Sequence, residues 1–299
     1  MPDNKTIRHI FIKYKEKTTI RYNRCETIRI ILIGGKYSMY KNFITETLVL
    51  PSASTHLYGP QFNGQLTLRA MTTDEERMRL GGQSFYSTMS AIVNECIVDN
   101  KNEDGTYKID SRDFTDFDFF AIMVKLRIMS YGPKYRTVAT CIKCGRQWSH
   151  IVDLSELAYN LVPEDFSEPY EVGPLPSSGD TLGCRFLRVR DRIEIEKQKD
   201  LILSKNPDYQ GDPVYNLEME KRIVTVNGTQ LDYVTASDYV HSLIAMDNYV
   251  YHDQIDKDKR FGVINYGFTD SCEDPKMCDG KGIWTMRVDS EFFRPCLDG

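Results

Sequence analysis

The stretch Cys141-Ile142-Lys143-Cys144-Gly145, taken with Cys272 and Cys278, constrains this chain more than any other feature. A Cys-x-x-Cys-Gly turn sets two thiolates on one side of a tight loop, and the glycine lets the backbone fold under them. Two such loops brought together present four sulfurs at the spacing that a zinc ion or an iron–sulfur cluster requires. The second loop, Cys272-Glu273-Asp274-Pro275-Lys276-Met277-Cys278, is wider than the usual separation of two to four residues. If Cys141, Cys144, Cys272 and Cys278 share a metal, they join parts of the chain about 130 residues apart. Such a site is a clasp and not a catalyst, because four thiolates leave no open coordination position. Spacing alone does not separate zinc from an iron–sulfur cluster.

Eight cysteines in a chain of 299 residues without a secretory signal read as reduced thiols plus a metal site, not as a disulfide framework. Synthesis in the cytosol is therefore expected. No apolar run approaches the roughly 20 residues that span a bilayer; Phe119-Phe120-Ala121-Ile122-Met123-Val124 stops at Lys125. The net charge of -5, with both signs interspersed, argues against nucleic acid as the main partner, since phosphate binding wants a basic surface. Eighteen tyrosines and fourteen phenylalanines suit either a large core or protein interfaces, where tyrosine buries area and keeps a polar tip.

Residues 1–42 differ from the rest, being rich in Lys, Arg and Ile, with β-type runs at 10–14 and 28–33 and a break at Gly34-Gly35. They read as a basic arm, a small hairpin, or an upstream extension with translation starting at Met39. Residues 43–299 form the main domain, with a helical part (43–160) leading to the first cysteine loop and a second part (161–299) carrying the other. Thr72 or Thr73 with a glutamate three residues on starts one helix, and Ser84 to about Val98 forms another with Cys96 on its apolar stripe. Phe117, Phe120, Ala121, Val124 and Ile128 recur at helical spacing, and Gly132-Pro133 stops that helix. Strand 135–140, the cysteine loop and strand 147–152 have the layout of a zinc-ribbon knuckle. Leu182 to Val189 alternates as a strand holding Cys184 in the core; Asp191 then caps a charged helix. Helices are expected over 218–226 and 237–252 around an Asn227-Gly228 turn, and strands near 262–268 and 282–288 flank the second cysteine pair. The fold class is α+β: a mixed helical domain with short antiparallel sheets and a zinc-ribbon-like four-cysteine element.

Catalytic constellations are missing. None of the five histidines sits in H-E-x-x-H, and there is no G-x-S-x-G, Walker A loop or G-x-G-x-x-G. His150 follows Cys144 on the return strand and reads as a half-exposed strand residue or as a substitute for one sulfur. A redox role for Cys141 and Cys144 would place them at a helix N-terminus, whereas a strand follows here. Asp113, Asp116 and Asp118 precede or open a helix, where carboxylates suit the dipole.

The segments Leu50-Pro51-Ser52 with Tyr58, Leu68-Arg69-Ala70-Met71-Thr72-Thr73-Asp74-Glu75-Glu76, and Leu126 to Tyr135 occur in that order. Cys141 to Leu154 and Phe292-Phe293-Arg294-Pro295 follow. Together they resemble the baseplate hub and hub-assembly proteins of T-even-like contractile-tailed bacteriophages. The resemblance implies a non-enzymatic virion protein of the tail hub, assembled in the host cytoplasm, that contacts hub, spike and tail-tube proteins as a homo-oligomer or within a symmetric complex. A hub assembly chaperone that is not retained, and a zinc-ribbon nucleic-acid binder, are the alternatives. The chain departs from the pattern at Ala53-Ser54, where glycine is usual, in the stretched second cysteine pair, and in its first 40 or so residues.

Overall fold

A computed structural model of the chain describes residues 30–33, 36–39, 44–55, 57–59, 62–81, 84–258, 261–274, 278–289 and 291–296. The chain divides into two compact units, Met1–Phe43 and Ile44–Gly299. In the first, β1 (Ile30–Ile33) and β2 (Lys36–Met39) pair as an antiparallel hairpin in the register Ile30↔Met39 to Ile33↔Lys36. The run expected at 10–14 lies outside the described residues.

The second unit begins with β3 (Thr45–Val49) and β4 (Gln65–Arg69), which pair antiparallel. Helices α1 (Thr73–Arg79), α2 (Phe85–Cys96) and α3 (Asp116–Tyr131) follow. Strands β5 (Lys134–Cys141) and β6 (Gln147–Asp153) come next, then the short β7 (Tyr159–Asn160), β8 (Tyr170–Val172) and β9 (Leu182–Cys184). After α4 (Val189–Lys205) and α5 (Val214–Arg222) the chain forms β10 (Ile223–Val226) and β11 (Thr229–Gln230). Helices α6 (Tyr233–Ser242) and α7 (Ala245–Asp258) precede β12 (Gly262–Val263), β13 (Tyr266–Phe268) and β14 (Gly282–Thr285). Two four-stranded antiparallel sheets result, in the orders β11-β10-β9-β8 and β13-β14-β5-β6, and β12 pairs with β7. The α+β class with short antiparallel sheets holds. Among the described residues no helix is long and apolar enough to cross a membrane.

Helix α3 is the centre of the main core. Its sequence is apolar nearly all round, so it packs on every side instead of presenting one stripe. Phe119, Ala121, Ile122, Val124 and Leu126 are all buried, against Leu66 and Leu68 of β4, Met89, Ile92 and Val93 of α2, and Phe292 and Phe293. Thr115 caps α3 and Gly132, at φ +84°, ends it. A second core gathers Tyr170, Val172, Leu182, Cys184 and Phe186 with Met219, Ile223, Val240 and Tyr251. Cys96 and Cys184 are core thiols, both pushed up to about 12 by burial.

Three expectations are corrected in detail. Ile223-Val224-Thr225-Val226 forms β10 instead of the end of a helix. The β-branched run leads into Asn227 and Gly228, whose φ angles of +50° and +76° make the two-residue hairpin turn that matches strand twist. The helix expected over 237–252 is two helices, separated at Leu243-Ile244. Strand β9 stops at Cys184, and Asp191 acts from the third position of α4, accepting the Arg188 N–H at 2.7 Å.

The start of α1 carries an acid-sensitive lock. Thr72 is the cap, and Glu75 accepts the Thr72 N–H at 2.7 Å and a fork from Arg69 at 2.7 and 3.1 Å. Burial raises the Glu75 carboxyl, but these donors outweigh it and hold it at about 2, below the 4.5 of a free glutamate. A folded-state value below the unfolded one contributes stability that is complete above about pH 4.5 and lost as pH falls through about 2. Urea denaturation of the native protein and of Glu75→Gln should therefore differ most near neutral pH. The gap should close progressively below pH 4.5.

Candidate metal centre

Strands β5 and β6 pair from Lys134↔Asp153 to Thr140↔Gln147, which delivers Cys141 to the end of one strand and sets a tight turn after it. The Gly145 N–H donates to the Cys141 carbonyl at 2.9 Å, and the Cys141 N–H to the Arg146 carbonyl at 2.8 Å. Gly145 has φ +73°, a conformation that costs a side-chain-bearing residue more, so this glycine is required by the turn.

Strand β14 lies on the other edge of β5, in the register Gly282↔Cys141 and Trp284↔Ala139, and β13 pairs with β14. The loop between β13 and β14 carries Cys272 and Cys278. Within it the Cys278 N–H reaches the Asp274 carbonyl at 3.0 Å, and the Cys272 N–H bonds to the Gly280 carbonyl at 2.7 Å. Gly280 lies directly beneath the site: a Cβ there would fall 2.7 Å from Cys141 Sγ.

All four sulfurs lie within 4.8 Å of one another, with Cys141 Sγ to Cys278 Sγ at 3.7 Å and Cys144 Sγ to Cys272 Sγ at 3.9 Å. Four thiolates about 2.3 Å from one ion define tetrahedron edges of about 3.8 Å. The donor set therefore fits a single tetrahedral metal ion, and it is the one such group of His, Cys, Asp and Glu among the described residues. Cys141 and Cys272 are buried, Cys278 is half-buried and Cys144 is exposed. His150 stands on β6 with its ring 6.3 Å from that of Trp284 and is not in the group.

The electrostatics are those of crowded sulfurs. The N–H groups of Cys144 and Lys143, directed at Cys141, hold its thiol down at about 6 against partial desolvation. Cys278 receives a Gly280 N–H, yet desolvation and the sulfurs of Cys141 and Cys144 push it up to about 11. Cys272, despite the Asp274 N–H, is raised for the same reasons. Like charges cannot all ionise at this spacing, and a dication is what removes the conflict. Outside the sulfurs, Lys143 pairs with Asp279, and Arg146 Nη1 with Asp274 at 3.3 Å, so each ion pair bridges the two loops.

Two buried polar clusters, neither of them legible as such in the sequence, account for other distinctive segments. Asp118 accepts the Ser52 N–H at 3.1 Å, the Ser52 hydroxyl at 2.5 Å and the Tyr58 hydroxyl, while the Thr115 N–H donates to Tyr58 at 3.0 Å. Burial raises the Asp118 carboxyl even so. The Thr115-x-x-Asp118 spacing of a capped helix start was the available signal. Arg127, fully buried, donates to four backbone carbonyls: Phe292 at 3.0 Å, Gly132 at 2.7 Å, Lys134 at 3.0 Å and Arg294 at 2.8 Å. Asp113 and Asp116 pair with Arg190 and Arg192 of α4. These carboxylates tie elements together.

A family model described as T4 bacteriophage base plate protein matches residues 44–211, more than half of the chain. The chain belongs to this family. No curated protein and no solved structure matches it. Membership of the T4 base plate family places the chain in the phage tail and supports a structural role there, alongside other tail proteins. The matched segment includes the Ser52–Tyr58–Asp118 cluster, Arg127 and the first cysteine loop. Cys272 and Cys278 lie beyond it.

Proposed function

We propose that this protein is a structural component of the tail baseplate hub, built into a symmetric complex with hub, spike and tail-tube proteins, and is not an enzyme. In this reading Cys141, Cys144, Cys272 and Cys278 hold one zinc ion that clasps β5 and β6 to the β13–β14 loop. Residues 1–42 act as a basic arm and residues 43–299 as the hub domain. The family match carries the baseplate assignment. The closed set of four sulfurs supports a structural ion over a reactive one. In an iron–sulfur cluster each thiolate binds its own or a shared iron with sulfides between, which spreads the thiolates further apart. That all four sulfurs lie within 4.8 Å of one another favours a single ion.

Support for protein partners comes from the sheet that the ion would clasp. Register and alternation put Tyr266, Phe268, Ile283, Val138 and Ile151 on one face, and all five are exposed. Quantitative mass spectrometry of purified mature tails tests the assignment. A fixed copy number per particle is the expected result. Presence in hub precursors but not in mature tails would make the protein an assembly chaperone instead.

A further inference from the structure

Two of the sulfur contacts in the cysteine cluster cross between distant segments: Cys144 to Cys272 at 3.9 Å and Cys141 to Cys278 at 3.7 Å. The backbones that carry them are already joined. The Ile142 N–H bonds to the Lys281 carbonyl at 3.0 Å, Cys141 pairs with Gly282, and ion pairs bridge the loops on the outside. We propose that oxidation closes this clasp covalently, through disulfides Cys144–Cys272 and Cys141–Cys278, so that the fold keeps its closure when the metal leaves. The proposal rests on the reading of the site as a metal clasp.

A disulfide needs its sulfurs about 2.05 Å apart, so each pair must close by less than roughly 2 Å, within reach of side-chain rotation. Crossing pairs also gain more for the folded state. They close loops of 128 and 137 residues, whereas a Cys141–Cys144 bond would close only a short turn and leave the two segments unjoined. Cys144 is the exposed sulfur and is where a two-electron oxidant enters. With a hydroperoxide, the Cys144 thiolate attacks one oxygen, the O–O bond breaks, and a sulfenic acid forms with release of hydroxide or alkoxide. The Cys272 thiolate then attacks the sulfenyl sulfur, the S–O bond breaks, hydroxide leaves and the S–S bond forms. A second hydroperoxide does the same for Cys141 and Cys278. The ion is released as its four anionic ligands become two neutral disulfides. Cys96 and Cys184 are buried and stay out of this chemistry.

The test uses the full chain purified under reducing conditions, with its metal content measured first. Hydrogen peroxide is then added in steps with a chromogenic chelator present, free thiols are blocked, and the unreduced digest is mapped by mass spectrometry. Metal release should track the appearance of peptides linked Cys144–Cys272 and Cys141–Cys278. The oxidised protein should melt within a few degrees of the loaded one and well above protein stripped by chelator under reducing conditions. Cys144→Ser should yield the Cys141–Cys278 link alone. Links within each loop, Cys141–Cys144 and Cys272–Cys278, or a melting temperature that falls to that of the stripped protein, would overturn the proposal. A chain that carries no metal as purified would defeat the clasp reading, and its disulfide map would still decide the pairing.

Discussion

Cys144→Ala is expected to purify without bound metal and to lose the cooperative melting of the β13-β14-β5-β6 sheet, with a fall of about 10 °C or more in melting temperature. Three sulfurs make an incomplete site, and structural zinc supplies on the order of 10 kcal/mol in small zinc domains. The sheet needs it. Strand β13 has three residues and β14 four, and the segment linking them carries the second cysteine pair. Metal content by elemental analysis and melting by circular dichroism check the prediction together. An unchanged melting temperature in a metal-free variant would remove the clasp. Cys96→Ala serves as the contrast: it opens a cavity in the main core and should lower stability modestly with metal content intact.

Arg127→Met should cost about 3 kcal/mol or more, although methionine fills most of the same volume, because each buried carbonyl left without a donor costs about 1–3 kcal/mol. The guanidinium satisfies four carbonyls drawn from the end of α3, the start of β5 and the Phe292–Arg294 turn. Removing it leaves these acceptors buried without donors and frees the segment that carries Phe292 and Phe293 into the core. Denaturant unfolding gives the loss in stability, and limited proteolysis should show early cleavage near residue 290. Arg127→Lys should recover only part of the loss, because one ammonium cannot reach four acceptors in the plane that the guanidinium fork serves. Full stability in Arg127→Lys would mean that charge, and not the fork, holds the segment.

Much of this architecture is legible in the chain because local signals and tertiary packing agree. The knuckle is the clearest case: a strand, Cys-x-x-Cys-Gly and a second strand leave few alternatives, and β5 and β6 form in the expected order. The Thr72–Glu75 cap and the Gly132 stop are equally local. Where the reading failed, competing local signals had to be settled. Ile223 to Val226 follows directly on a helix, and only its β-branching and the Asn227-Gly228 turn assign it to a strand. The buried clusters were illegible for a different reason. Nothing around Arg127 in the chain says that its acceptors include carbonyls 165 and 167 residues away. In the same way the width of the second cysteine loop gives no hint of the backbone bond from Cys278 to Asp274.

The most direct test of the clasp is elemental analysis with a visible absorption spectrum on protein purified without oxygen. One equivalent of zinc in a colourless sample, lost on chelation together with the upper part of the melting transition, is the predicted result. Iron and sulfide in a brown sample would contradict the single ion, and metal-free protein whose melting is indifferent to added zinc would contradict the clasp itself.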